Sequence, residues 1–131
     1  MKRPAENVEL NQIQHKAIST LPIHSKIVLA MCIKFKNGDY NIHLRIPEYY
    51  WSYKEACETI GIDALTVRGV YERINELNTL GILRIIRITR WEESGMLKRI
   101  AMKADCEGII KALSNDEQIQ NLLSHALPIS G

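Results

Sequence analysis

The chain has 131 residues, enough for one domain whose core can fold without metal or disulfide staples. Apolar residues make up 46% and charged residues 24%, which excludes a disordered or fibrous chain, while a net charge of only +2 says little about partners. No apolar run approaches the ~18 residues that cross a bilayer, and the start, MKRPAENVEL, lacks the apolar middle of a signal peptide, so a cytoplasmic protein without a membrane partner is expected.

The distribution of charge is more informative than its sum. Residues 1–65 carry eight Lys/Arg against seven Asp/Glu, residues 66–103 eight against four, and residues 104–131 one against four. Positive charge is therefore concentrated in the middle third. The three cysteines, Cys32, Cys57 and Cys106, are odd in number and form no CxxC pair, so buried free thiols are expected.

In ELNQIQHKAISTLP, Leu10, Ile13, Ala17 and Leu21 recur at three- and four-residue steps, the period of an amphipathic helix that Pro22 ends. A second helix, PIHSKIVLAMCIKFK, can begin at that proline, and Asn37, Gly38 and Asp39 supply a turn. YNIHLRI alternates with a period of two, as a short strand at a sheet edge would. Pro47 opens a third helix, in which Tyr50, Tyr53, Cys57 and Ile60 line one face and Gly61 is a left-handed cap. At helical spacing Tyr50 and Tyr53 read as core, which leaves Tyr49 and Trp51 as exposed candidates for base stacking.

After a tight connection, Thr66 is placed to cap a fourth helix with Val70, Ile74, Leu77 and Leu80 as its buried stripe and Gly81 as its stop. Arg68, Gly69, Glu72, Arg73 and Glu76 then point outward. ILRIIRITR and LKRIAMKA pair as a hairpin around the breaker WEESG, and DCEGIIKALSNDEQIQNLL forms one or two helices capped by Asp105 and by Asn115 or Asp116.

This order defines an α+β, mostly helical winged helix-turn-helix. It has a two- to three-stranded antiparallel sheet and extra N- and C-terminal helices. Residues 1–20 read as a tail and lead-in helix, 21–104 as the winged helix, and 105–131 as helices packed on the same domain. A helix that buries one stripe and leaves the other side free can enter the major groove of duplex DNA, with a basic hairpin beside it on the backbone or minor groove.

The segments TLPIHSKIVLAMCIKF, YYWSYKEACETIGIDALTVRGVYERINELNTLGIL and KADCEGIIKALSNDEQIQNLL match, in order and spacing, a known family. Over roughly residues 21–123 the chain resembles the C-terminal winged-helix domain of the archaeal origin-recognition initiators. The resemblance implies binding to replication-origin DNA, with the recognition helix in the major groove and the wing in the minor groove. It also implies an ATPase module ahead of this domain in full-length members. No GxxxxGK[ST] stretch occurs here, so the chain is expected to be either a domain of a longer initiator or a stand-alone descendant.

The candidate DNA-binding residues are Thr66, Val67, Arg68, Gly69, Glu72, Arg73, Arg90, Lys98 and Arg99. Arg68 sits where an arginine can pair with guanine O6 and N7. The alternative is a solvated surface arginine. Val67 meets a thymine methyl or completes the core, and Glu72 accepts from cytosine N4 or pairs with Arg68. Tyr71 reads as packed beneath the helix. Arg84, Arg87 and Arg90 are spaced by three along a strand, so they should alternate faces. Glu92 and Glu93 at the wing tip repel phosphate, which leaves backbone contact by Arg90, Lys98 and Arg99 as the expected role of the ribbon.

No GxSxG, HExxH or paired-carboxylate pattern appears and the four histidines lie in separate elements, so neither an enzyme nor a cofactor or metal site is expected. The alternatives to an initiator domain, expected as a monomer, are a dimeric winged-helix transcriptional regulator and a winged-helix protein-protein interaction module.

Overall fold

A computed structural model describes residues 12–34, 36–37, 41–91, 95–102 and 106–126. The elements are α1 (Gln12–Ser19), α2 (Ile23–Lys34), β1 (Lys36–Asn37), β2 (Asn41–Arg45), α3 (Ile46–Ile60), α4 (Val67–Thr79), β3 (Leu83–Trp91), β4 (Gly95–Met102), α5 (Cys106–Leu113) and α6 (Glu117–Ala126). The order expected from the sequence holds. The expected lead-in turn before Gln12, the turn residues Gly38 and Asp39, the wing-tip Glu92 and Glu93, and Asp105 lie outside the described residues.

Helix α2 is the centre of the domain. Ser25 to Ile33 are all buried, so this helix has no solvent face and is surrounded by α3, α4, α5 and α6. The chain turns by 112° between α1 and α2, and Pro22 contributes its carbonyl to the first turn, accepting from Lys26 N at 3.0 Å. The buried cation Lys26 meets Asp116 at 3.3 Å, and the other carboxylate oxygen of Asp116 accepts from Gln118 N at 3.0 Å as the cap of α6. No single described helix is long and apolar enough to cross a membrane.

Ile18 of α1, Ile109, Ala112 and Leu113 of α5, and Ile119, Leu122 and Leu123 of α6 share one core with α2, α3 and α4. Cys32 and Cys57 are buried free thiols within it.

The sheet differs from expectation in two ways. It has four antiparallel strands in the order β1-β2-β4-β3, rather than two or three. The extra strand is the two-residue β1, formed where Asn37 was expected in a turn. Its pairing with Asn41 and Ile42 moves β2 from the expected edge to the interior. The pairing of Lys36 and Asn37 with β2 outweighs the turn preference of one asparagine.

Candidate nucleic-acid interface

Both helices of the helix-turn-helix stop in the same way. Gly61 (φ 93°) follows α3 and Gly81 (φ 80°) follows α4, each in the left-handed region. Ile62 N donates to Cys57 O at 3.0 Å and Ile82 N to Leu77 O at 3.1 Å, the long bond of a Schellman motif. Ile82 then packs in the core beside Leu77, which is why Leu80, expected in the buried stripe, is exposed: it is the cap of α4, and the residue after the glycine takes its place.

The turn between the helices is held by two tyrosines. Tyr50 Oη donates to Leu65 O at 2.6 Å, and Leu65 N donates to Tyr53 Oη at 2.9 Å. Tyr53 Oη also lies 2.7 Å from His24 Nδ1 of α2. Both polar groups of the residue just before the cap of α4 are thus tied to α3, and through His24 to α2. Burial pushes the Tyr53 phenol far above its ordinary range, although the Leu65 amide pulls it back.

Sequence reasoning placed Tyr50 and Tyr53 in the core but did not foresee these bonds. It also placed Tyr49 at the surface, and the structure corrects this. Tyr49 is fully buried, donates to Val28 O at 2.8 Å, and has its phenol raised by desolvation and then by Cys32. Tyr49, Tyr53, Ala56 and Cys57 follow the helical period as well as Tyr50, Tyr53, Cys57 and Ile60 do. Trp51 is exposed, at 63%.

Thr66 caps α4 as expected, its Oγ1 accepting from Gly69 N at 3.1 Å. At ~100° per residue, the face opposite Val70, Ile74 and Leu77 is the row Arg68, Glu72, Asn75 and Thr79. All four are exposed. The Arg68 side chain is 89% exposed, with Nε 3.9 Å from Glu72 Oε2, whose side chain is 58% exposed. Val67 is surface-exposed rather than core, and Tyr71 is half-buried with its phenol raised by desolvation. Asn75 and Thr79 were missed, although the same angular arithmetic finds them.

Arg73, Gly69 and Glu76 do not point squarely outward as expected. They flank the buried stripe on one side. Arg73 is 29% exposed with its Nε 3.3 Å from Glu76 Oε1, and that oxygen also accepts from the buried Ser25 Oγ at 3.2 Å, binding α4 to α2. Gly69 faces the turn: a Cβ there would lie 3.0 Å from Leu65 Cβ, closer than side chains normally approach.

The ribbon is pinned to α4 by Asn78 Oδ1, which accepts from Ile85 N at 3.1 Å. Its register contains a one-residue bulge: Ile85 pairs with Ile100 but Arg87 with Arg99, leaving Ile86 extra. Cross-strand partners share a face and faces alternate along a strand. Leu83 is buried and Arg84 exposed, so Arg84 marks the outer face. The bulge resets the alternation, and Arg87 joins Arg84 there instead of opposing it. Arg99 belongs to the same face, opposite Arg87 on one side and His43 on the other. Arg90, opposite Met96, and Lys98, opposite Ile88 and Leu44, belong to the other face. The ribbon's three candidate residues are thus not one group.

A helix-turn-helix followed by a pinned antiparallel ribbon defines a winged helix-turn-helix domain. The family model described as "CDC6, C terminal winged helix domain" matches residues 16–112. The chain belongs to this family, the C-terminal winged-helix domains of archaeal replication initiators of the ORC1/Cdc6 kind. It is 35% identical over 108 residues to an ORC1-type DNA replication protein 1 of Archaeoglobus fulgidus, covering 82% of this chain and 25% of that one. It is 32% identical over 123 residues to an ORC1-type DNA replication protein 4 of Haloarcula marismortui, covering 93% of this chain and 23% of the relative. The structure of the Aeropyrum pernix ORC1 protein in complex with DNA superposes with a TM-score of 0.71 at 31% identity, over 83% of this chain and 28% of that one. The chain thus spans about a quarter of the length of the curated relatives it matches.

Proposed function

We propose that this domain binds double-stranded DNA at replication origins, with α4 in the major groove and the ribbon on the phosphate backbone, as one part of an initiator whose ATPase module lies elsewhere. The observation that carries this reading is the outward row of α4. Arg68 stands in the first turn, 89% exposed and diametrically opposite the buried stripe. The turn that aims it is fixed by the Thr66 cap and the tyrosine bonds to Leu65. A rigid helix end offering Arg68, Glu72 and Asn75 has the donor and acceptor types that read base edges, arginine for guanine and asparagine for adenine. The likeness to a protein solved with DNA supports the reading.

Titrating the domain with origin-like and random duplexes at several salt concentrations, while measuring its mass, tests it. Contact with four to six phosphates gives a log–log salt slope of about −4 to −5. Arg68→Ala should weaken the preferred duplex by ~1–3 kcal/mol, roughly 5- to 150-fold, with little effect on random duplexes. A dimer on a palindrome would instead identify a regulator, and absence of binding at low salt an interaction module.

A further inference from the structure

We infer that Glu72 is the specificity-determining residue of α4: beside Arg68, it selects a G·C base pair in one orientation and weakens the hold of the helix on duplexes that lack that pair. The inference rests on the reading of α4 as the helix that enters the major groove, and it gives a role to the acidic side chain in the outward row.

Arg68 and Glu72 lie about 6 Å apart along the axis of α4 and ~40° apart around it. Arg68 Nε stands 3.9 Å from Glu72 Oε2, too far for a hydrogen bond, and the two side chains are 89% and 58% exposed. Neither side chain has another ionic or hydrogen-bonding partner among the described residues. An exposed pair of this kind contributes little to stability. The placement of the charges does not favour the isolated helix either. Arg68 is the second residue of α4, where the macrodipole repels a cation, and the first turn holds no acidic residue. An arginine that precedes a glutamate at four-residue spacing is also the less favourable order. The fold does not account for the pair.

A G·C pair does. In the major groove guanine offers two acceptors, N7 and O6, and cytosine beside them offers a donor, the N4 amino group. A guanidinium next to a carboxylate complements that pattern: Arg68 donates to guanine and Glu72 accepts from cytosine. Adenine also carries an amino group, but its N7 acceptor lies beside it and repels a carboxylate, while thymine presents the O4 acceptor. Inverting the pair to C·G sets donor against donor and acceptor against acceptor. Without the cytosine amino group, the carboxylate stands unpaired between two rows of phosphates, so Glu72 adds a repulsion at every site that lacks the match. In the free protein the same carboxylate lies beside Arg68 and reduces the pull of the guanidinium on phosphate at random sites.

The test uses the whole chain with its preferred duplex and with random duplexes. Glu72→Gln should bind random duplexes about fivefold tighter, the effect of one charge at ~4 Å in water, without tightening the preferred one. Replacing the cytosine of each G·C pair in turn by 2-pyrimidinone, which lacks the N4 amino group, should find one position where the parent loses about tenfold and Glu72→Gln loses little. Glu72→Asp keeps the charge but not the reach, and should still exclude random duplexes while losing that response. Both side chains are exposed, so the variants should melt close to the parent. If Glu72→Gln leaves random binding unchanged or weaker while Arg68→Ala still weakens the preferred duplex, the role of Glu72 is overturned and the helix reading stands. Tighter random binding with the 2-pyrimidinone response intact overturns the cytosine partner. If neither Arg68→Ala nor Glu72→Gln alters binding to any duplex, α4 is not in the groove, and the helix reading and the role of Glu72 fall together.

Discussion

Replacing Tyr53 with phenylalanine removes one oxygen from a fully buried ring and tests whether the turn before α4 is held as described. The oxygen accepts from Leu65 N at 2.9 Å and lies 2.7 Å from His24 Nδ1, so its loss leaves two polar groups without that partner. A buried unsatisfied group costs ~1–3 kcal/mol; Leu65 and His24 are half-buried and water can reach them in part, which puts the total near 2 kcal/mol. For 131 residues at ~2.1 cal/mol/K each, 2 kcal/mol lowers the melting temperature by about 7 °C. Tyr50→Phe frees only the Leu65 carbonyl, which keeps a second lone pair for water, and should cost about 1 kcal/mol, or ~4 °C. Calorimetry measures both, and amide hydrogen exchange localises the effect. In Tyr53→Phe, Leu65 and Gly69 should exchange faster while Ile74 in the middle of α4 changes only by the global loss. A melting temperature within a degree of the parent, with Leu65 protection intact, would refute the idea that the phenol anchors the turn.

Thr66→Ala should lose ~1 kcal/mol by urea titration because Gly69 N loses its acceptor, and Thr66→Asn should retain most of it. Asp116→Ala both strands the buried Lys26 and uncaps α6, and should cost ~3 kcal/mol, whereas Lys26→Met leaves a partly exposed carboxylate still capping its helix and should cost clearly less; the reverse order would show that the pair is not what matters. Burial raises the phenols of Tyr49, Tyr53 and Tyr71 above their ordinary 10.0 and the Cys57 thiol above 9.0. The folded state keeps protons that the unfolded chain releases, so this stability is whole below about pH 9 and falls as pH rises through 10, chiefly through the fully buried Tyr49 and Tyr53. Urea midpoints that stay flat up to pH 11 would contradict the burial of these groups.

Wherever one local rule acts alone, the sequence was enough to read the structure. Gly61 and Gly81 end their helices because the next residue must be left-handed, Thr66 caps because its neighbours Val70 and Ile74 set the helical stripe, and Pro22 starts α2. Where two faces of a helix competed, periodicity was ambiguous. The α3 segment carries aromatic residues at Tyr49, Tyr50, Trp51 and Tyr53, and only the packing of α2 decides that Tyr49 is inside and Trp51 outside. Arg73 and Gly69 lie outside the stripe and so read as outward, but they adjoin it: Arg73 pairs with Glu76, which Ser25 binds to α2, and Leu65 crowds Gly69.

The ribbon shows why the rest of the site could not be read locally. Alternation along LRIIRITRW assigns Arg84 and Arg87 to opposite faces, and that arithmetic is right for an unbroken strand. The structure spends one extra residue at Ile86, the second of two adjacent isoleucines between Arg84 and Arg87, where no glycine announces a bulge. What places the bulge is the need to satisfy two registers together: Leu83 and Ile85 must reach the core next to α4, while Ile88 must still meet Lys98 in the hairpin that closes at Trp91 and Gly95. A regular strand of this length cannot put Leu83, Ile85 and Ile88 all on one face, since 83 and 88 differ by an odd number of steps. One inserted residue restores the parity and, as a direct consequence, carries Arg87 to the side of Arg84 and Arg99. The same apolar requirement that builds the core therefore sets the register of the basic ribbon, and since Ile86 is the unpaired residue, deleting it should straighten the strand and leave Ile85 opposite Ile100 and Arg87 opposite Arg99; cross-strand NMR contacts displaced by one position would refute this.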